Sequence, residues 1–306
     1  MRVLVTGATG YIGGRLAPLL VEQGHQVRCL TRSVDRLAGV PWAERVEVAE
    51  GDLGRPESLP AALAGIDAAY YLVHSMGRGD FEAVDRRGAE NFAAAARAAG
   101  VRRVVYLGGL VPRDGAASRH LASRLAVEES LLGAAPESIA LRASIVIGAR
   151  SRSFRFLVRL IERLPVLALP AWRRNRTRPI DGRDVLAYLR AAADAPAALA
   201  GRSWDIAGPD TVTYEELIGR IADSMLVGRP KLGLGFTLTP IAAPVAAAIA
   251  GEDPALIEPL MEGLEHDLLP RDDAAAGAFG IRLHSFDAAV ERALRDWEMT
   301  EEVAAR

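Results

Sequence analysis

The amino-terminal segment is the part of this sequence that most constrains the fold. It begins MRVLVTGATGYIGG, so a short apolar run is followed by Gly7, Gly10 and Gly13 in the spacing G-x-x-G-x-x-G. The run predicts a buried parallel strand, and the spacing of apolar residues over 11–23 predicts an amphipathic helix. Glycines in this context permit a sharp turn, a close approach of the backbone to phosphates and close packing of helix on strand. The unit therefore predicts a dinucleotide site, with the pyrophosphate facing the amino terminus of the helix.

The first half of the chain alternates between strand-like and helix-like segments. Such alternation with short connections predicts parallel strands joined by right-handed crossovers, with helices on both faces of the sheet. We therefore expect an α/β fold built on a Rossmann-type doubly wound parallel sheet. The predicted strands are residues 2–6, 26–31, 45–49, 67–73, 103–108 and 138–145, and the predicted helices are about 12–23, 56–64, 79–99 and 117–133.

After residue 148 the alternation ends. Residues 179–195 predict a helix that returns to the first domain, a strand is predicted at 203–207, and the remainder is mostly helical. In a doubly wound sheet the ligand lies beyond the carboxyl ends of the strands, so the second half is expected to cover the nicotinamide end of a cofactor and to form the substrate pocket. We predict a dinucleotide-binding domain of residues 1–148 plus about 179–196, and a smaller, mostly helical substrate or lid lobe of residues 149–178 and 197–306.

Composition and charge argue against several classes of function. The net charge is −2, and the arginines of residues 150–178 fit an amphipathic surface helix without interleaved aromatic residues, so we expect no nucleic-acid partner. The five histidines are dispersed, which predicts no metal site. The single cysteine, Cys29, and the immediate start of the first strand predict a cytoplasmic protein. The segment 236–250 is too short and too interrupted by proline to span a membrane, and it predicts a helical lid or an oligomer contact. We expect the protein to be a monomer or a homodimer.

Motifs in six places carry a family resemblance that covers almost the whole chain. They are TGATGYIGG at 6–14, GDL at 51–53, YLVHSM at 71–76, RRVVYLGG at 102–109, RPIDGRDV at 178–185 and WDIAGPD at 204–210. Together they resemble the short-chain dehydrogenase/reductase superfamily in its extended and atypical branches. Within the superfamily the chain is most similar to the nitrogen-metabolite-repression-regulator-like group of NAD(P)H-binding proteins.

The resemblance implies roles in cofactor binding for several groups of residues. Backbone around Leu107, Gly108 and Gly109 would approach the nicotinamide. Leu72, Val73 and Leu107 are equally well explained as core residues of their strands. The residues implied to bind the pyrophosphate are Gly7, Thr9, Gly10, Tyr11, Ile12 and Gly13; those implied to contact adenine are Asp52 and Leu53; and those along the ribose path are Leu72, Val73 and His74.

The end of the second predicted strand bears on the choice of cofactor. A site that prefers NAD places an acidic residue there, which accepts a hydrogen bond from the ribose 2′-OH. Here the strand ends in Thr31 and Arg32, and no acid follows before Asp35. A guanidinium suits a 2′-phosphate in charge and geometry, and Arg36 is close enough to add to it. We therefore predict NADP(H) as the cofactor.

The superfamily's usual catalytic pair is missing. That pair is a tyrosine, which gives or takes the substrate proton, and a lysine four residues later on the helix after the fifth strand. Lys231 is the only lysine of the chain, and it does not follow any tyrosine at this spacing. His120 and Arg124 stand at the expected positions, and Gly108 and Gly109 replace the polar residue at the end of the strand.

Two interpretations of this substitution remain open. In the first, His120 donates the proton, Arg124 holds the nicotinamide ribose and His74 is a second candidate acid. In the second, the surface binds cofactor without chemistry, and Arg124 pairs with Glu128 one turn along the helix.

These interpretations lead to two function hypotheses. The first, which we favour, is an NADPH-dependent oxidoreductase that reduces a small, largely apolar carbonyl compound or a conjugated double bond. The second is a non-catalytic NADP(H)-binding redox sensor or assembly subunit.

Overall fold

The first half of the computed structural model has the predicted alternation of strands and helices. The model describes residues 1–75, 80–113, 118–236, 239–251 and 253–300, so Met76 of the third motif lies outside the described residues. The elements are β1 (Arg2–Thr6), α1 (Tyr11–Glu22), β2 (Gln26–Thr31), β3 (Glu47–Glu50), α2 (Leu59–Leu63), β4 (Ala68–Tyr71), α3 (Phe81–Ala98), β5 (Arg103–Gly109), α4 (Arg119–Leu132) and β6 (Ile139–Ala143).

The second half contains short strands between longer helices. Its elements are β7 (Val146–Ile147), α5 (Arg152–Arg163), β8 (Leu167–Leu169), β9 (Arg176–Thr177), β10 (Ile180–Asp181), α6 (Gly182–Ala193), β11 (Arg202–Ile206), β12 (Val212–Thr213), α7 (Tyr214–Ser224), β13 (Lys231–Gly233), α8 (Thr239–Ala250), α9 (Pro254–Glu262), α10 (Ala274–Phe279) and α11 (Phe286–Glu298).

Seven parallel strands form the central sheet, in the order β11-β6-β5-β4-β1-β2-β3. The order reverses between β1 and β4, because the chain runs outward through β2 and β3 on one side and through β5 and β6 on the other. Such a reversal leaves a crevice at the carboxyl ends of the two strands, which is where ligands bind in open α/β sheets. The predicted Rossmann-type doubly wound fold is confirmed.

Helices cover both faces of the sheet. Leu16 and Leu20 of α1 and Leu189 of α6 share one apolar cluster with the sheet, and α2, α3 and α4 contribute to a second cluster on the opposite face. The buried side chain of Arg103 donates hydrogen bonds to the carbonyls of Ala192, Ala193 and Ala195 at the end of α6. These bonds satisfy carbonyls that a helix end leaves without partners, so they fix α6 against β5.

One predicted assignment is wrong. Residues 202–206, which we expected in the second lobe, form β11 and pair with β6 over five residues at the edge of the main sheet. Trp204 and Ile206 of this strand are buried, and Phe279 at the end of α10 packs edge-on against Trp204. An apolar strand gains burial by extending an existing sheet, and the amino-acid pattern alone does not show which sheet it joins. The main sheet therefore takes in part of the segment 197–306.

The lobe has a separate apolar core. Phe154, Trp172, Leu217 and Trp297 are buried there, together with Ala247 of α8. The helix expected within residues 236–250 is thus present as α8, although residues 237–238 lie outside the described part. Among the described residues, no helix is long and apolar enough to cross a membrane.

Candidate functional site

A cleft of about 1160 Å³ lies at the carboxyl ends of β1 and β4. One wall is formed by residues 39–42 in the connection from β2 to β3, and the opposite wall by residues 149–152 before and at the start of α5. Eleven of the predicted site residues border this cleft: Gly7, Thr9, Gly10, Tyr11, Ile12, Gly13, Leu72, Val73, His74, Leu107 and Arg124. Leu72, Val73 and Leu107 also pack against the sheet core, and their contact with a cofactor stays a prediction.

The first turn and α1 form a cradle that admits only glycine at two positions. Gly7 has a φ of +70°, and a Cβ added to it would lie 2.7 Å from the Leu72 carbonyl oxygen. A Cβ added to Gly13 would lie 2.3 Å from the Gly7 carbonyl oxygen. Helix α1 has no acidic residue in its first turn and no side chain that caps it. Its first amide groups and its dipole are therefore available to an anion, which fits a dinucleotide pyrophosphate.

The residues predicted for the adenosine end are only partly assembled. Arg32 is exposed and does not border the cleft, whereas Arg36, in the short 3-10 turn that follows, does. The Asp52 carboxylate accepts from the Gly54 amide at 2.8 Å, and the Leu53 carbonyl accepts from Asn91 at 2.8 Å. Neither Asp52 nor Leu53 is among the residues that line the cleft.

Protein side chains fill the space next to the two glycines at the end of β5. A Cβ added to Gly108 would lie 2.9 Å from the Tyr106 ring, and one added to Gly109 would lie 3.3 Å from Leu121. The missing side chains therefore do not enlarge the cleft. Gly108 is paired with Arg142 of β6, a buried arginine that binds Glu128 of α4 beneath the strand.

The two candidate acids meet in a chain of hydrogen bonds. His74 Nδ1 lies 2.5 Å from Oδ2 of Asp85, and His74 Nε2 lies 3.2 Å from His120 Nδ1. The second oxygen of Asp85 accepts the Ser75 amide at 2.9 Å. His74 follows β4, Asp85 lies on α3 and His120 on α4, so three elements converge on the relay Asp85–His74–His120. His74 borders the cleft, whereas His120 does not; His120 contacts the side of the His74 ring that faces away from Asp85.

Burial and neighbouring charges hold both imidazoles in the neutral form. Burial, together with the nearby Arg124 and His74, lowers the pKa of His120 to about 2. Burial also lowers the pKa of His74, against the opposing effect of the Asp85 hydrogen bond. For Asp85, burial raises the pKa, but the hydrogen bonds from His74 and Ser75 outweigh it and the net pKa is lowered. The resting relay is therefore an anionic carboxylate with two neutral rings.

Arg124 lies at the edge of the cleft, one helical turn after His120. Its Nη2 donates to the Leu107 carbonyl at 2.5 Å, and its guanidinium lies over the ring of Tyr106. The alternative in which Arg124 pairs with Glu128 is wrong, because Glu128 is bound by Arg142 and by Ser203 Oγ at 2.5 Å. No partner in the described part of the chain takes up the other N–H groups of Arg124, so they remain available to a ligand.

Sequence reasoning missed Asp85. It lies on the buried stripe of α3, four residues after Phe81 and four before Ala89, and all three are buried. An acid in the middle of such a stripe requires a buried partner, and this was the signal in the sequence.

The position of Tyr11 was also not foreseen. Its hydroxyl packs on Gly148 and Gly182, where an added Cβ would lie 1.9 Å and 2.6 Å away, and burial raises its pKa.

The described residues contain no group of histidine, cysteine and carboxylate side chains that could hold a metal ion. The cleft borders include five arginines and one acid, Asp296. Asp296 is itself bound by Arg292 Nε at 2.8 Å. The cleft is therefore strongly positive, which suits a polyanionic cofactor.

Fold and cleft together define an NAD(P)H-binding Rossmann protein. Residues 7–131 match the family model described as NAD(P)H-binding. This match covers the first four-tenths of the chain and agrees with the resemblance to NAD(P)H-binding proteins that the sequence motifs carry.

Two relatives are reductases. The chain is 32% identical to ceramide reductase of Caulobacter vibrioides over 169 residues, which is 54% of this chain and about half, 52%, of that protein. It is 29% identical over 268 residues to (4-alkanoyl-5-oxo-2,5-dihydrofuran-3-yl)methyl phosphate reductase of Streptomyces griseus, with 86% of each chain covered. Among solved structures, a nucleoside-diphosphate-sugar epimerase from Staphylococcus aureus superposes with a TM-score of 0.78 at 15% identity, covering 95% of this chain and 100% of that one. At this identity the likeness concerns the fold alone.

Proposed function

We propose that this protein is an NADP(H)-dependent oxidoreductase that reduces a carbonyl group or conjugated double bond of a small, largely apolar compound. The observation that carries the proposal is the relay Asp85–His74–His120 beside a glycine-cradled cleft, because it offers a proton path where the superfamily has its tyrosine and lysine. The reductase activities named for the relatives support the reaction class.

The residues around the cleft suit NADP(H). The uncapped amides of α1 suit the pyrophosphate, and Arg36, with Arg32 nearby, suits a 2′-phosphate. Arg124 has N–H groups to donate to ribose hydroxyls, while its bond to the Leu107 carbonyl fixes its position. When bound, NADPH supplies the hydride for the reduction.

The relay supplies or removes the proton. With both rings neutral, His74 donates Nδ1–H to Asp85 and His120 donates Nδ1–H to His74 Nε2, which leaves His120 Nε2 as a free base. In alcohol oxidation, His120 Nε2 takes the hydroxyl proton, His120 Nδ1–H passes its proton to His74 Nε2, and the new positive charge rests beside Asp85. In reduction the same steps run backwards, so the protonated relay gives one proton to the product from His120 Nε2.

A calorimetric titration with NADPH, NADP⁺, NADH and NAD⁺ tests the proposal. We expect binding that depends on the 2′-phosphate and that weakens for NADPH, but not for NADH, in Arg36→Ala. Because hydrogen bonds to charged groups contribute about 1.5–3 kcal/mol, the loss should be about tenfold to a hundredfold. Arg282→Ala is the matched control, since Arg282 is exposed and is not part of the cleft lining. Absence of binding for all four nucleotides would refute the proposal.

A further inference from the structure

A second helix begins at the same cleft as α1. Helix α5 starts after Ser151, has no acidic residue in its first turn and has no side-chain cap. Ser151 borders the cleft, is only 8% exposed, and its hydroxyl has no partner among the described residues. A buried serine at this position usually caps its own helix, so an uncapped one leaves both its hydroxyl and the first amide groups free for a ligand.

Two arginines flank this helix start. Arg150 and Arg152 both border the cleft, both are exposed, and within the described ranges neither forms an ion pair. The nearest competing acid on the cleft lining, Asp296, is already bound by Arg292. A hydroxyl, free amides and two guanidinium groups form a set of donors without an acceptor, which is the composition of an anion site.

This corner lies at the opposite end of the cleft from the arginine suited to the 2′-phosphate. Arg36 follows β2, and α5 follows β6 and the short β7, so the two ends are separated by four strand positions. At the usual spacing of strands this is about 19 Å. The side chain of Tyr11 stands between the start of α1 and the segment before α5, because its hydroxyl packs on Gly148. The positive charge at α5 is therefore far from the arginine suited to the 2′-phosphate, and saturating the protein with NADPH separates it from the charge that the pyrophosphate uses.

We propose that Ser151, Arg150, Arg152 and the amino terminus of α5 bind a carboxylate or phosphate group of the substrate. The substrate is then an acidic compound with an apolar body, anchored at one end so that its reacting group lies towards His74. This inference rests on the proposed function and adds a substrate class to it. The charge of Arg152 is also felt at the relay, where it lowers the pKa of His74.

Inorganic phosphate is the first probe. It is titrated into NADPH-saturated protein, so that the sites for the cofactor phosphates are already filled, and binding is followed by calorimetry. We expect Arg152→Gln and Ser151→Ala each to weaken phosphate binding, by about tenfold for the arginine, while Arg282→Gln leaves it unchanged. Thermal unfolding of each variant checks that the fold is retained, and Arg150→Gln provides an independent second variant. Equal phosphate affinity in wild type and in both arginine variants would overturn the proposal.

An acid and its ester form the second probe. Wild-type protein is expected to show a KM for 3-oxooctanoate at least tenfold below that for methyl 3-oxooctanoate, and Arg152→Gln to lose this difference with its NADPH affinity unchanged. If the arginine variants instead lose NADPH affinity in parallel with phosphate affinity, the arginines serve the cofactor and the inference fails. The phosphate titration needs no turnover, so failure to reduce any compound counts against the proposed function and not against this site.

Discussion

The carboxylate of Asp85 controls the charge that the relay can hold, so Asp85→Asn is the most informative single substitution. The carboxylate accepts from His74 Nδ1 at 2.5 Å, and the two side chains are only 5% and 19% exposed, so solvent screens the interaction little. A hydrogen bond to a charged group contributes about 1.5–3 kcal/mol, which corresponds to about 1–2 pKa units. Because the carboxylate favours the protonated ring, its removal should lower the pKa of His74 by that amount.

The assay is an NMR titration of imidazole-labelled protein, in which the His74 signal is identified by its loss in His74→Gln. Glu90→Gln is the matched control, because this substitution also removes one negative charge from α3, at an exposed position. We expect the control to leave the pKa of His74 within about 0.3 units of wild type, since an exposed charge is well screened. An unchanged or raised pKa of His74 in Asp85→Asn would refute the relay, because it would show that no charged hydrogen bond was lost.

Three further predictions concern pH and the cradle. Because the pKa values of His74 and His120 are lowered, the protonated relay becomes rarer above pH 6.5, and kcat/KM for reduction should fall about tenfold per pH unit. His120→Gln should flatten this slope in steady-state assays. A plateau of kcat/KM through pH 8 in the wild-type protein would contradict the prediction. For stability, the folded pKa of His120 is about 2 and the unfolded value about 6.5. Between these two pH values the unfolded chain therefore binds more protons than the folded protein. The unfolding free energy should fall as the pH is lowered through this range, by at most about 1.4 kcal/mol per pH unit. Denaturant titrations of His120→Gln should show a weaker fall. Gly13→Ala would place a Cβ 2.3 Å from the Gly7 oxygen, so we expect calorimetry to detect no NADPH binding, whereas Gly277→Ala, with open space around it, should bind normally.

The parts of the fold that follow from local pattern were predictable. The strand, glycine turn and helix at the amino terminus are specified by neighbouring residues, so their function as a cradle was expected and the sheet followed from the alternation. The position of β11 was not, because an edge strand is added by pairing with β6, which lies some sixty residues earlier in the chain. Such long-range pairing leaves no local trace in the sequence.

In the candidate site, too, single residues could be recognised from the sequence, whereas their contacts depend on packing between distant parts of the chain. His74 and His120 were recognised separately as polar residues at the ends of elements, but their contact depends on how α4 packs against α3 and β5. Asp85 was overlooked because a lone acid on a helix is ordinarily a solvated one, and only packing shows that it is buried against His74. Arg32 was favoured over Arg36 by proximity to β2, whereas the 3-10 turn of Val34–Leu37 carries Arg36 to the cleft.

The glycines at the end of β5 now have a physical explanation. Gly108 lies under the Tyr106 ring and beside the buried Glu128–Arg142 pair, so a larger side chain is excluded by the protein itself. The Tyr106 ring and the Glu128 carboxylate thus occupy the space that a polar side chain would need here, and under the proposed function the relay is the source of the proton.

A crystal structure of the protein with NADP⁺ would show directly which part of the cofactor lies at each end of the cleft. We predict that the pyrophosphate lies on the amides at the start of α1, the 2′-phosphate on Arg36 and the nicotinamide beside His74 and Arg124. A cofactor bound in the reverse direction, or a nicotinamide held away from His74, would contradict it.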